Sequence, residues 1–318
     1  MPHPFRFGVI NEQMMSTPQD WIAHVQRIES LGYDTFVLRD HFVPDFFGDS
    51  FAPFSALTMA ASVTKNLKVG SLVIGNDFRH PAVLAKEAAT LDWLSGGRFE
   101  LRLGAGWLKT EYEQLGFGYD SPGVRISRLA ESIQVIKGLW ADTPLTFAGQ
   151  HYQIQNLIGF PKPVQRPHPP ILIGGGHQRI LQLAGREADI VGILTTDVST
   201  GTLKADPTQR LAEAVTQKVN WIREGAGDRF GEIELSLIPD IIFTNQRQIA
   251  TENLIRERGW EGISVEQVWE MPAILIGSLE QIVEDLYARR ERFGFSYFIV
   301  ADEDMENTAS LVSALRGK

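Results

Sequence analysis

Residues 67–106 read LKVGSLVIGNDFRHPAVLAKEAATLDWLSGGRFELRLGAG. An apolar run, Leu67–Ile74, is followed by an amphipathic segment, Pro81–Leu94, and a second strand candidate, Arg98–Gly104. VGSLVI shows no clear alternation of apolar and polar residues, which is the pattern of a parallel strand covered on both faces. The alternation of strand and helix continues outward in both directions. Further strands are expected at Phe5–Ile10, Thr35–Leu38, Pro170–Gly174, Ala188–Ile193, Ile233–Phe243 and Phe295–Val300. Further helices are expected at Pro18–Ser30, Pro53–Thr64, Pro122–Trp140, Gln178–Arg186, Pro207–Ala226, Arg247–Arg258 and Ser278–Phe293. Eight strands and eight helices in order make the α/β pattern of a closed (β/α)8 TIM barrel.

Local punctuation agrees with these boundaries. Thr17-Pro18 and Ser121-Pro122 each put a capping hydroxyl before a proline suited to the first helical turn. Gly32, Gly96 and Gly294 stand where helices should stop, and in LGYDTFVL and FGFSYFIV the aromatic after the glycine is expected to pack beneath the turn. Two stretches break the alternation. Residues 141–170 look like an insertion, with a hairpin around Ala148-Gly149 and a Pro-rich approach to strand five. Residues 195–205 form a Ser/Thr/Gly-rich loop after strand six. No composition shift marks a boundary, so residues 1–318 are expected to form one barrel domain.

Composition removes several functions. The chain has 318 residues, 43% hydrophobic and 22% charged, with no apolar run near the roughly 20 residues that span a membrane. MPHPFRFGVI lacks a basic segment followed by an apolar core and cleavage site, so a cytoplasmic location is expected. With no Cys there is no disulfide, thiolate metal site or cysteine nucleophile. A net charge of −9 without a Lys/Arg cluster disfavours nucleic acid as a partner. Redox work would need a bound cofactor, and a small molecule is the expected substrate.

In a barrel enzyme the chemistry sits where strands end at the C-terminal rim. Strand one exits on Asn11-Glu12-Gln13, strand two on Asp40-His41 and strand three on Gly75-Asn76-Asp77. Strand four exits on Gly104-Ala105-Gly106-Trp107, strand five on Gly174-Gly175-Gly176-His177 and strand six on Thr195-Thr196-Asp197. The glycines before helix Gln178–Arg186 suit either an anionic phosphate, with Arg179 in support, or a plain tight turn. GAGWLKTEY lacks the GxGxxG spacing of a dinucleotide fold. There is no HxH, HExxH or GxSxG motif, so metal catalysis and serine hydrolysis are not expected. The aromatic stretch after strand two, with Phe42, Phe46, Phe47 and Phe51, suits an apolar lid, a dimer contact or solvated loop aromatics.

The phrases LGYDTFVLRDHF, LKVGSLVIGNDFRHPAVLAKEAATLDWLSGGRFELRLGAGWLKTEYEQLG, ESIQVIKGLW and PPILIGGGHQRILQLAGREADIVGI together resemble the bacterial luciferase-like superfamily, particularly its coenzyme F420-dependent oxidoreductase branch. The resemblance implies a commonly dimeric barrel that binds F420 or reduced FMN at the C-terminal rim. It implies a non-prolyl cis bond, Leu72-Val73, in strand three. It places Asp40 and His41 at the cofactor, with His41 near the reactive ring as the candidate catalytic residue. Leu72, Val73, Gly75 and Trp107 would border the ring, and Ala105, Gly106, Thr110, Gly175, Gly176 and His177 would hold phosphate and tail. Glu12, Phe46 and Thr195 are candidate substrate contacts.

Two departures qualify the resemblance. Trp107 stands where some members carry a Glu after the strand-four glycine, and Pro44-Asp45 stands where many carry a Trp. Together with the absence of Lys and Arg from Ile193 to Leu203, these argue against sugar-phosphate oxidation. Three readings stay open: an F420-dependent oxidoreductase moving a hydride to or from a small organic substrate, an FMN-dependent luciferase-like monooxygenase served by a separate flavin reductase, and a cofactor-binding barrel without turnover.

Overall fold

The structure, a computed structural model, describes residues 2–12, 14–44, 50–202 and 206–318. Its centre is a closed ring of eight parallel strands. In order around the ring they are Arg6–Asn11, Thr35–Leu38, the interrupted strand Lys68–Ser71 and Ile74–Gly75, Phe99–Gly104, Ile171–Gly175, Ile190–Ile193, Glu234–Leu237 and Phe295–Ala301. The last strand pairs with the first in the register Arg6↔Tyr297 to Ile10↔Ala301, which closes the barrel. Strand three is broken where the Leu72-Val73 peptide is cis, as the resemblance implies.

Side chains alternate across each strand, so the ring has two apolar layers. Ile10, Val37, Leu172, Ile190, Tyr297 and Ile299 fill the barrel interior, with Leu72 and Val73 packed against them. Phe7, Phe36, Leu101 and Val191 face outward and are covered by helices such as Pro18–Ser30, Pro81–Leu94 and Leu279–Phe293. Thr17 caps the first of these helices by accepting a hydrogen bond from the Asp20 amide. Ser121 makes no such bond before Pro122, so its expected capping role is not realised. Gly32 and Gly294 both take φ +88°, and the aromatics after them, Tyr33 and Phe295, are buried under the turn.

Strand seven departs from the sequence expectation. The run Ile233–Phe243 divides into barrel strand Glu234–Leu237 and a separate strand, Asp240–Phe243, that leaves the ring to pair in parallel with Ile274–Gly277. Pro239 lies at the break, where it can donate no ladder hydrogen bond. With helices Arg247–Glu257 and Val265–Glu270 these two strands enclose a satellite core of Leu254, Trp260, Val268, Met271, Ile274 and Ile276. Three helices were also not expected: Lys109–Leu115, Val265–Glu270 and the C-terminal Met305–Leu315. The expected helix Pro207–Ala226 becomes a short 3-10 turn, Pro207–Arg210, followed by Ala212–Ala226. The expected hairpin does form, from Leu145–Ala148 and Gln153–Leu157. Glu131 holds its tip to the adjacent helix by accepting bonds from the amides of Gln150, His151 and Tyr152.

Candidate active site at the barrel mouth

The mouth of the barrel is shaped by missing side chains. Val73 stands half-buried beside strands four and five. A Cβ at Gly104 would come within 2.6 Å of Val73 Cγ2, and one at Gly174 within 3.4 Å of Val73 Cγ1. At Gly176 a Cβ would meet the Leu194 carbonyl at 2.9 Å. Gly104 and Gly174 thus let Val73 sit close against strands four and five as a shelf, and a Cβ at Gly104 would displace it.

Beside the shelf, three strand exits are tied together. Asp40 is buried, and its two oxygens accept a bidentate pair from Arg79 at 2.5 and 2.9 Å and the Gly75 amide at 3.0 Å. Its carboxylate therefore braces the strand-three exit. His41, 14% exposed, turns Nδ1 toward Glu111, 3.3 Å from each carboxylate oxygen. The Phe42 amide donates to the same carboxylate at 2.6 Å, and Trp107 meets the His41 ring edge-on at 5.9 Å.

The strand-four exit is braced from behind. Gly106 takes φ +73°, and a Cβ there would lie 1.9 Å from the Tyr112 hydroxyl. That hydroxyl donates to Asp77 at 3.1 Å, and Arg128 donates to the same oxygen at 2.7 Å. Ala105 accepts from Arg125 at 3.3 Å, and the Trp107 carbonyl accepts from Tyr119 at 2.8 Å. Thr110 is exposed on the first turn of helix Lys109–Leu115, where the Lys109 amide already donates to the Gly201 carbonyl at 3.2 Å. The loop after strand six thereby reaches across to strand four.

Gly175 and Gly176 lead into helix Gln178–Glu187. His177 is exposed, and its Nε2 lies 3.2 Å from Asp197. An Arg179 guanidinium nitrogen sits where a Cβ on Gly123 would come within 2.7 Å, so Arg179 lies beside the start of helix Pro122–Trp140. Two helix starts and a cation on one side of the rim suit an anionic group. Thr195 is buried behind this edge. Lys218, from the following helix, donates to the carbonyls of Leu194 at 2.8 Å and Gln209 at 3.2 Å; burial lowers its ammonium to about 8, against the pull of Asp197.

The sequence candidates thus divide into two linked groups. Asp40, His41, Gly75, Ala105, Gly106 and Trp107 share one hydrogen-bonded and ring-packed constellation, while Gly175, Gly176, His177 and Thr195 line the strand-five and strand-six edge. Leu72 and Val73 stand between them. Glu12 is paired with Arg39 at the strand-one exit. Phe46 and Phe47 lie outside the described residues. Among the described residues no group of three His, Asp or Glu side chains could hold a metal ion. Sequence reasoning missed Arg79, Tyr112 and Glu111. The signal for the last was GWLKTEY itself, which puts an acid and an aromatic on the first turns after the rim loop.

Residues 3–262 match the luciferase-like monooxygenase family. The chain belongs to that family. Within it, the chain is similar to the F420-dependent glucose-6-phosphate dehydrogenase of Amycolatopsis mediterranei (strain U-32), with 28% identity over 272 residues, 85% of this chain and 78% of that protein. It is also similar to the FMNH(2)-dependent dimethylsulfone monooxygenase of Pseudomonas putida, with 34% identity over 128 residues, 40% of this chain and 35% of that protein. The barrel superposes on a solved F420-dependent secondary alcohol dehydrogenase in complex with an F420-acetone adduct, with TM-score 0.76 and 19% identity, over 99% of this chain and 100% of that one. That likeness shows the shared (β/α)8 barrel fold.

Proposed function

We propose that this luciferase-like protein is a coenzyme F420-dependent oxidoreductase that transfers a hydride between the deazaflavin and a small organic substrate. The observation that carries the reading is the length of its likeness: 85% of the chain aligns with an F420-dependent dehydrogenase, against 40% with the FMNH(2)-dependent monooxygenase. The barrel mouth suits a flat ring, because Gly104 and Gly174 let Val73 pack closely against strands four and five as a shelf. When bound, the deazaflavin supplies a ring carbon that gives or accepts a hydride. His41 and Trp107 pack together at the strand-two and strand-four exits, and His41 can hold or move a proton there. Gly176, His177 and Arg179 suit the anionic tail.

The higher local identity to the FMNH(2)-dependent enzyme favours a second reading, a monooxygenase fed with reduced flavin. An anaerobic assay separates the two. Following the 420 nm band while alcohols, aldehydes and enones are offered in turn, F420 should be reduced or reoxidised by at least one class, and His41→Ala should lower that rate by about 100-fold or more. Oxygen consumption with reduced FMN, and no change at 420 nm with any class, would favour the monooxygenase instead.

A further inference from the structure

We infer that Glu111 is the positioning residue that fixes the proton of the His41 ring on Nδ1, so that His41 exchanges protons through Nε2. The inference rests on the oxidoreductase reading above for its role in turnover, and on geometry alone for the tautomer. Glu111 sits on helix Lys109–Leu115, only 2% exposed, with both oxygens 3.3 Å from His41 Nδ1. A carboxylate only accepts hydrogen bonds, so the ring nitrogen that faces it must be the one carrying hydrogen. The Phe42 amide, 2.6 Å from Oε1, holds the carboxylate in place from the residue next to His41. Trp107 limits the ring from another side, 5.9 Å away at 80°.

A purely structural role, tying the strand-two exit to the strand-four helix through Phe42, predicts something different. Glu111→Gln keeps an oxygen for the Phe42 amide and turns its NH2 toward Nδ1, which then has to accept. The ring nitrogen-15 shifts of His41, assigned by their loss in His41→Ala and recorded without cofactor at about pH 8, above the ordinary imidazole range, read the tautomer directly. The expected result is hydrogen on Nδ1 in the wild-type protein and on Nε2 in Glu111→Gln. In the 420 nm assay the same variant should lose about 100-fold in kcat, with F420 affinity within threefold of wild type. Glu111→Asp should retain the wild-type tautomer and recover part of the rate. Hydrogen on Nε2 in the wild-type protein overturns the inference even if the glutamine variant does not fold. An unchanged tautomer, or kcat within twofold of wild type, in a folded Glu111→Gln also overturns it. Failure to bind or turn over F420 would instead count against the proposed function, because the tautomer is read without cofactor.

Discussion

At Gly106 one absent methyl group decides how the rim is built. Its φ of +73° is unfavourable for other residues, and the Tyr112 hydroxyl occupies the space a Cβ would need. Gly106→Ala should therefore destabilise the protein by about 2 kcal/mol or more and uncouple Tyr112 from Asp77, seen as a lower urea midpoint at unchanged slope. Asp40 makes a second case. Its buried carboxylate is matched to Arg79 by two hydrogen bonds, so Asp40→Asn leaves a mostly buried guanidinium without its counter-charge. We expect a loss of about 3 kcal/mol, against less than about 1 kcal/mol for an exposed pair, measured by the same denaturation. The sequence places Asp40 and His41 at the rim because they end a short apolar strand. It does not show that Arg79 and Glu111 are their partners. Those residues approach from the strand-three loop and the helix after strand four, and their convergence is a property of the closed ring.

Among the elements, those with local signals are legible and those set by tertiary pairing are not. The strand-helix-strand unit of residues 67–106 forms as its pattern implies, and the hairpin at Leu145–Leu157 follows from its turn. Strand seven is misread because ELSLIPDIIF offers strand-forming residues on both sides of Pro239-Asp240, while only the three-dimensional sheet shows that Asp240–Phe243 pairs with Ile274–Gly277. The satellite built on that pair has its own core around Trp260. Trp260→Ala should cost about 3 kcal/mol or more there. Hydrogen exchange should then quicken across residues 240–277 while barrel strands such as Phe99–Gly104 keep their protection. Equal loss of protection in the barrel would show that the satellite and barrel unfold as one unit.

For the molecule as a whole, the end of the barrel opposite the mouth is closed by charge. Arg6 bridges Glu100 at 2.6 Å and Glu234 at 3.1 Å, and Arg102, fully buried, donates to Glu100 at 2.6 Å and to the Tyr297 hydroxyl. Burial alone would raise both carboxyls, but Arg6, Arg102 and Lys68 hold Glu100 well below the ordinary range. Glu234 has only a share of Arg6, so burial, with the charge of Glu100 adding to it, pushes its carboxyl up to about 7. The folded state thus keeps a proton that the unfolded chain releases near pH 4.5. Stability from this group declines as pH rises from about 4.5 to 7, and the cost persists above that, on the order of 3 kcal/mol. Glu234→Gln should remove this slope. The difference between the two stability curves should grow from pH 5 to 7 and then level off, and a flat difference would contradict the assignment. In sequence, FELRLG alternates apolar and charged residues, which puts Glu100 and Arg102 on one face; that this face points inward to meet Arg6 is set by the closed ring.

The central claim is that the mouth of this barrel holds a deazaflavin. It is tested most directly by titrating the purified protein with F420 and with FMN in parallel and following fluorescence quenching. A deazaflavin site should give saturable micromolar binding of F420, negligible binding of FMN, and at least tenfold weaker F420 binding when Gly104→Ala pushes Val73 off its shelf. Tight FMN binding with no F420 binding, or F420 binding indifferent to Gly104→Ala, would contradict it.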